Sequence, residues 1–169
     1  MTSQSIKLSI PAFTVAALCV SLSSCVSYYE LPEAYNGPVA TIRSTSNSKN
    51  TVSIESFEVS QINGVLVQGG TQGTAYGAGM AASTKEHSVD LPANQPVTVQ
   101  LTGRDSFAAD GAALFSALSG GTSKTVTGEF QFTPKAQTYT VTGQLGKEAS
   151  TVWLEDARGR KVSPVFSSQ

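Results

Sequence analysis

Cysteine is nearly absent from this chain, and so is histidine. Of its 169 residues two are cysteine, Cys19 and Cys25, and one is histidine, His87. After position 25 the sequence therefore has no means of forming a disulfide, and no thiolate to give a metal. The usual His/Cys zinc sets are excluded, and no clustered carboxylates replace them, so no metal or other cofactor is expected. Charge is sparse, at 14 % of residues, with a formal net charge of −1. No basic excess points to nucleic acid, and no polybasic cluster points to lipid headgroups. Two motifs are also missing, the Gly-Lys-Ser/Thr of phosphate loops and the Gly-x-Ser-x-Gly elbow of serine hydrolases. Threonine, serine, valine and glycine are what the chain has in quantity. That mix favours strands and turns over helices.

Long apolar runs are missing too, with one exception. Leu8–Leu22 is mostly apolar and follows Lys7, the only charged side chain among residues 1–24. It has the length of a secretion-signal core and falls short of the roughly 20 residues that span a bilayer. A signal-peptide helix is expected there. The run ends in Leu22-Ser23-Ser24-Cys25, an aliphatic residue and two small ones before a cysteine. This stretch resembles the lipobox of bacterial lipoproteins. The resemblance implies that Cys25 receives a diacylglycerol on sulphur, that a peptidase cuts before it, and that the freed amine is acylated. Cys19 does not fit, because Leu18 before it is too large for the box. One acyl chain binds a membrane marginally, at about 0.8 kcal/mol per buried methylene, whereas two or three hold firmly. Val26 stands where an aspartate retains such proteins in the inner membrane, which implies lipid attachment in the outer membrane, facing the periplasm or the cell surface.

The chain then divides into a signal peptide (1–24), a tether (25–37) and one β-domain (38–169). Removing 24 of the 169 residues leaves 145, enough to bury a core. The mature part keeps all 12 acidic residues and loses only Lys7 among the 11 basic ones, for a formal balance of −2. Extended, the twelve residues Val26–Gly37 would span about 40 Å at roughly 3.3 Å each. Of their three tyrosines, Tyr35 is expected to pack partly onto the domain.

Pro38–Thr45 reads as a first strand, Ser46–Asn50 as a polar turn and Thr51–Ile62 as a second strand. Its parity breaks between Val52/Ile54 and Phe57/Val59, which predicts a bulge near Glu55-Ser56. Asn63-Gly64 predicts a hairpin that returns Val65–Gln68 onto Phe57–Ile62. In Gly69–Thr84 the small residues Gly69, Gly73, Gly77 and Ala81 fall four apart, a spacing similar to a glycine zipper. The run is too short and polar to span a bilayer and reads as an exposed loop, where a protein partner is best expected. Lys85–Leu91 reads as a strand. Gln95–Phe107 alternates, with Val97, Val99 and Leu101 inward. Leu114, Phe115 and Leu118 predict a short helix within Ala108–Ser119, stopped by Gly120-Gly121 and capping the core. Thr125–Thr133, Gln137–Leu145 and Ser150–Ala157 read as a three-stranded meander, and Lys161–Phe166 as an edge strand. The expected fold is all-β, an antiparallel sandwich with one helical insert; an immunoglobulin-like arrangement or a small barrel is the alternative.

Chemistry-bearing residues are few. His87 precedes Asp90 by three positions, so a Ser-His-Asp hydrolase is arithmetically possible, although a lone surface histidine explains the same residues. Glu155 and Asp156 are neighbours on a strand and must point to opposite faces. Arg104-Asp105 reads as a strand-end charge feature. Trp153 and outward threonines offer a ligand-binding face, and a Trp153 packed under the helical insert is the alternative. The last third resembles β-rich bacterial envelope lipoproteins through Gly128–Pro134, Tyr139–Gly143 and Val152–Asp156, motifs of strand and turn type that imply no activity. The sequence thus favours a non-catalytic, lipid-anchored binding or structural domain. An envelope hydrolase using His87, or an accessory subunit of an outer-membrane assembly, are the alternatives.

Overall fold

A computed structural model describes residues 27–48, 53–68, 73–74, 83–84, 86–107 and 124–168. The signal run, Cys25, most of Gly69–Thr84 and all of Ala108–Ser119 lie outside the described residues. The expected helical insert is therefore outside them too. Among the described residues the chain is all-β, as the composition predicts.

Two sheets face each other. The back sheet has the order β12 (Phe166–Ser168), β11 (Ser150–Asp156), β10 (Thr138–Leu145), β1 (Val39–Arg43), β7 (Ser88–Pro92). The front sheet has the order β2 (Thr45–Ser48), β3 (Ser53–Ile62), β8 (Val97–Phe107), β9 (Thr125–Phe132), with β4 (Val65–Leu66) also on β3. All named pairings are antiparallel except β1 with β10, where Ile42 lies opposite Tyr139. A separate two-residue ladder joins β5 (Gly73–Thr74) to β6 (Ser83–Thr84).

Alternation builds the core. Phe57, Val59 and Ile62 face inward from β3, Val97, Val99 and Leu101 from β8, and Ala40, Ile42, Tyr139, Val141, Val152 and Leu154 from the back sheet. Each buried side chain of this size contributes roughly 1.5–3 kcal/mol. A register shift between Val59 and Gln61 turns Ile62 inward after Phe57 and Val59. This bulge falls at Ser60 and not near Glu55-Ser56. Ile54 needs no bulge, because it is buried on the opposite face from Phe57, outside the core cluster.

Sequence order and sheet order part company where the chain passes from β4 in the front sheet to β7 in the back one, and at three short arches. The expected first strand breaks at Ser44: Val39–Arg43 joins the back sheet, and Thr45–Ser48, expected as mostly turn, pairs with β3 in the front one. β7 and β8 also lie in different sheets, and so do β9 and β10. The expected meander is therefore corrected to one hairpin, β10–β11, with β9 paired to β8. The chain crosses at Pro134, which is fully buried and cannot donate to a ladder. Asn94 N–H donates to Pro134 O at 2.7 Å and ties two of these arches together.

The Asn63-Gly64 hairpin forms as the sequence predicts, with φ of 51° and 77°. Two positive φ values suit the twist of a two-residue turn. Val65 and Leu66 return onto Ile62 and Gln61, and Val67 N–H then donates to Ser60 O.

Candidate functional site

Three surfaces bring together residues that the sequence singles out. At the N-terminal side, Tyr29 N–H donates to Leu66 O at 2.7 Å, and Tyr28 forms a parallel bridge with Leu66. The segment thus extends the β4 edge by one more chain. Tyr29 is half-buried and packs against the core, as Val67 and Val89 also do. Burial, with help from Asp90 and Tyr35, raises its phenol pKa above the ordinary value. Tyr35 is half-buried, as expected, and its hydroxyl donates to Pro38 O at 2.9 Å. Within the expected tether (25–37), Tyr28 and Tyr29 are held to β4, and Tyr35 bonds to Pro38 at the start of the β-domain. Tyr28 and Leu66 stay on the outside, 45 % and 44 % exposed.

The second surface lies where β1 leaves the back sheet. Ser44 is buried there. Its hydroxyl donates to His87 O and accepts from His87 N–H, both at 2.8 Å. Ser44 thus engages the backbone of His87 and caps the β1–β7 ladder. Asp90 accepts from the Thr41 hydroxyl at 2.7 Å. Neither residue is arranged as a partner of the His87 ring. An open hollow of about 160 Å³ lined by Arg43, Glu86, His87 and Ser88 lies at this end. A second void, of about 10 Å³, lies between His87, Ser44, Glu58 and the adjoining apolar side chains. It is about the size of one water.

Trp153 occupies the outer face of the back sheet, opposite Thr142 on β10. Its indole N–H donates to Glu155 Oε1 at 2.7 Å, and Lys161 Nζ sits 4.1 Å from the ring centroid. Thr140 and Thr142 flank it on the neighbouring strand. The face offers hydroxyls, an aromatic ring and one charge of each sign, which suits noncovalent contact with a polar ligand. Lys161 must swing away before anything stacks on the ring.

Glu155 and Asp156 point to opposite faces, as alternation requires. Asp156 is buried. Its Oδ2 accepts from Arg160 Nη2 at 2.6 Å and Nε at 2.9 Å, and its Oδ1 from the Arg158 and Arg160 amides. The Arg160 side chain, followed by its amide, holds the carboxyl below its ordinary pKa. Arg104 is not at a strand end. It lies inside β8 and pairs with the buried Glu58 at 3.0 Å.

Among the described residues no group of three or more His, Cys, Asp or Glu is placed to hold a metal ion. No helix among them is long and apolar enough to cross a membrane. Sequence reading missed the Tyr28–Leu66 pair. Its signal is the phase of β4, where Leu66 falls opposite to the inward Val67. Comparison with protein-family models, curated proteins and solved structures finds no match to this chain.

Proposed function

We propose that the chain is a lipid-anchored cell-envelope protein whose β-domain binds or supports a partner without catalysing a reaction. Cys25 carries the lipid, and the outer membrane is the site of attachment. The observation that carries this reading is the sequence Leu22-Ser23-Ser24-Cys25 at the end of the apolar run Leu8–Leu22. Among the described residues the core cluster runs from Ala40 to Leu154, within the part of the chain that remains after cleavage before Cys25. The polar outer face around Trp153 and the loop Gly69–Thr84 are the surfaces offered to a partner.

Mass spectrometry of protein extracted from membranes tests the anchor. The expected N-terminus is an acylated Cys25, and Cys25→Ala is expected to stall the precursor or release the domain. An unmodified N-terminus elsewhere refutes the reading. Crosslinking in intact cells, followed by pull-down, then identifies the partner.

A further inference from the structure

The docked N-terminal segment leaves little chain between the lipid and the fold. Cys25 and Tyr28 are separated by three peptide units. Whatever their conformation, these reach at most about 11 Å from Cα to Cα. A diacylglyceryl cysteine has its sulphur at the glycerol level of the leaflet. The headgroup layer above the hydrocarbon is roughly 5–8 Å thick on each side of a bilayer. Tyr28 is therefore confined to the headgroup layer or its immediate surface, and it takes Leu66 with it through their bridge.

The groups that arrive there suit the place. Tyr28 and Leu66 are among the most exposed large apolar side chains of the described residues, and they are neighbours. Val39 is exposed singly on its strand, an ordinary surface feature. Tyrosine favours the membrane interface, where the ring is sheltered and the hydroxyl stays wet. The nearest charges on the segment, Glu30 and Glu33, are acidic and exposed. Attraction to anionic headgroups therefore does not drive the contact.

We propose that the β4 edge, through Tyr28 and Leu66, is a membrane-contacting surface, so that the domain rests on the bilayer in one orientation and does not swing from a free tether. This inference rests on lipidation of Cys25. The acyl chains supply the affinity, and the short connection keeps the patch at high effective concentration beside the lipid. The opposite edge of the back sheet, at β12, and the hairpin β10–β11 next to it then face away from the lipid.

The test uses lipidated protein purified from membranes and reconstituted in vesicles of phosphatidylethanolamine and phosphatidylglycerol. With Cys25 blocked by lipid, Gln68→Cys and Val165→Cys each accept one fluorophore. Gln68 is exposed beside β4, and Val165 is 46 % exposed just before β12. Spin-labelled lipid should quench the fluorophore at position 68 several-fold more than at 165. With Tyr28→Glu/Leu66→Glu added, quenching at 68 should fall to the level at 165, and the preference should survive high salt. Equal quenching at both positions in the parent, with Cys25 acylated and the protein vesicle-bound, overturns the docking and leaves the anchor standing. Unmodified Cys25 with protein free of vesicles overturns both.

Discussion

Phe57 is fully buried because two glycines make room for its ring. Gly103 faces it across the β3–β8 pair, and Gly143 faces it from the back sheet. A Cβ at Gly143 would lie 2.5 Å from Phe57 Cε1 and against the Thr151 carbonyl, which is backbone and cannot swing aside. Gly143→Ala is therefore expected to cost about 1–3 kcal/mol, the range for overpacked cores. Chemical denaturation measures it, and an unchanged midpoint would show that the sheets separate freely. Gly128 has the same role beneath Phe166, whose ring also meets Phe130 at 6.1 Å between centroids. At Asp156 the argument concerns charge. The carboxyl is lowered in the folded protein, so its contribution is complete above the ordinary carboxylate pKa and is lost as pH falls through the folded value. Asp156→Asn should flatten the acid limb of a stability-against-pH curve, and an acid limb unchanged from the parent would refute the assignment.

At the scale of the element, the boundaries carry the design. Ser44 allows β1 to end in one sheet and β2 to begin in the other, because its hydroxyl satisfies both backbone groups of His87. Ser44→Ala leaves the His87 N–H without its acceptor, while His87 O keeps the Ser44 N–H, and is expected to cost about 1–2 kcal/mol in thermal or chemical unfolding. Amide exchange should rise first at His87. The N-terminal segment is a second such element. Tyr29 has a raised pKa, so its docking is at full strength below the ordinary phenol value and is lost as pH rises through the folded value. Difference titration of phenolate absorbance, with Tyr29→Phe as reference, should show one tyrosine ionising late. Strand positions were readable wherever alternation was clean, as in Val97–Leu101 and Tyr139–Val141. Alternation gives no sign of a strand at Thr45–Ser48, where a polar segment becomes one because β3 offers it an edge.

For the whole molecule, the pairing of β1 with β10 sets the folding problem. Thr41 meets Thr138 across almost a hundred intervening residues. Contacts of such separation must close a long loop before they are rewarded, so refolding is expected on roughly the millisecond-to-second scale of all-β domains. Stopped-flow Trp153 fluorescence can follow it, and a microsecond phase carrying the full amplitude would contradict that expectation. Both cysteines precede the described fold, so reductant should leave the thermal midpoint unchanged. A downward shift would reveal a crosslink involving Cys19 or Cys25. The two closed sides of the sandwich differ. Phe166 covers one, against Phe130, and Tyr29 packs against the core from the β4 edge.

The sequence by itself determined the fold class, most strand positions, the Asn63-Gly64 turn and the opposed faces of Glu155 and Asp156. Each follows from short-range rules, the two-residue period of a strand and the φ values that asparagine and glycine tolerate. It also supplied the lipobox resemblance, which is local by nature. Only the tertiary structure decided which strands share a sheet, where the bulge falls, and that Ser44 serves the backbone of His87. It also decided that Tyr28 and Tyr29, within the expected tether, lie on the β4 edge. Those outcomes depend on pairing partners distant in sequence. A hydrogen bond such as Tyr29 N–H to Leu66 O leaves no trace in the spacing of either residue's neighbours.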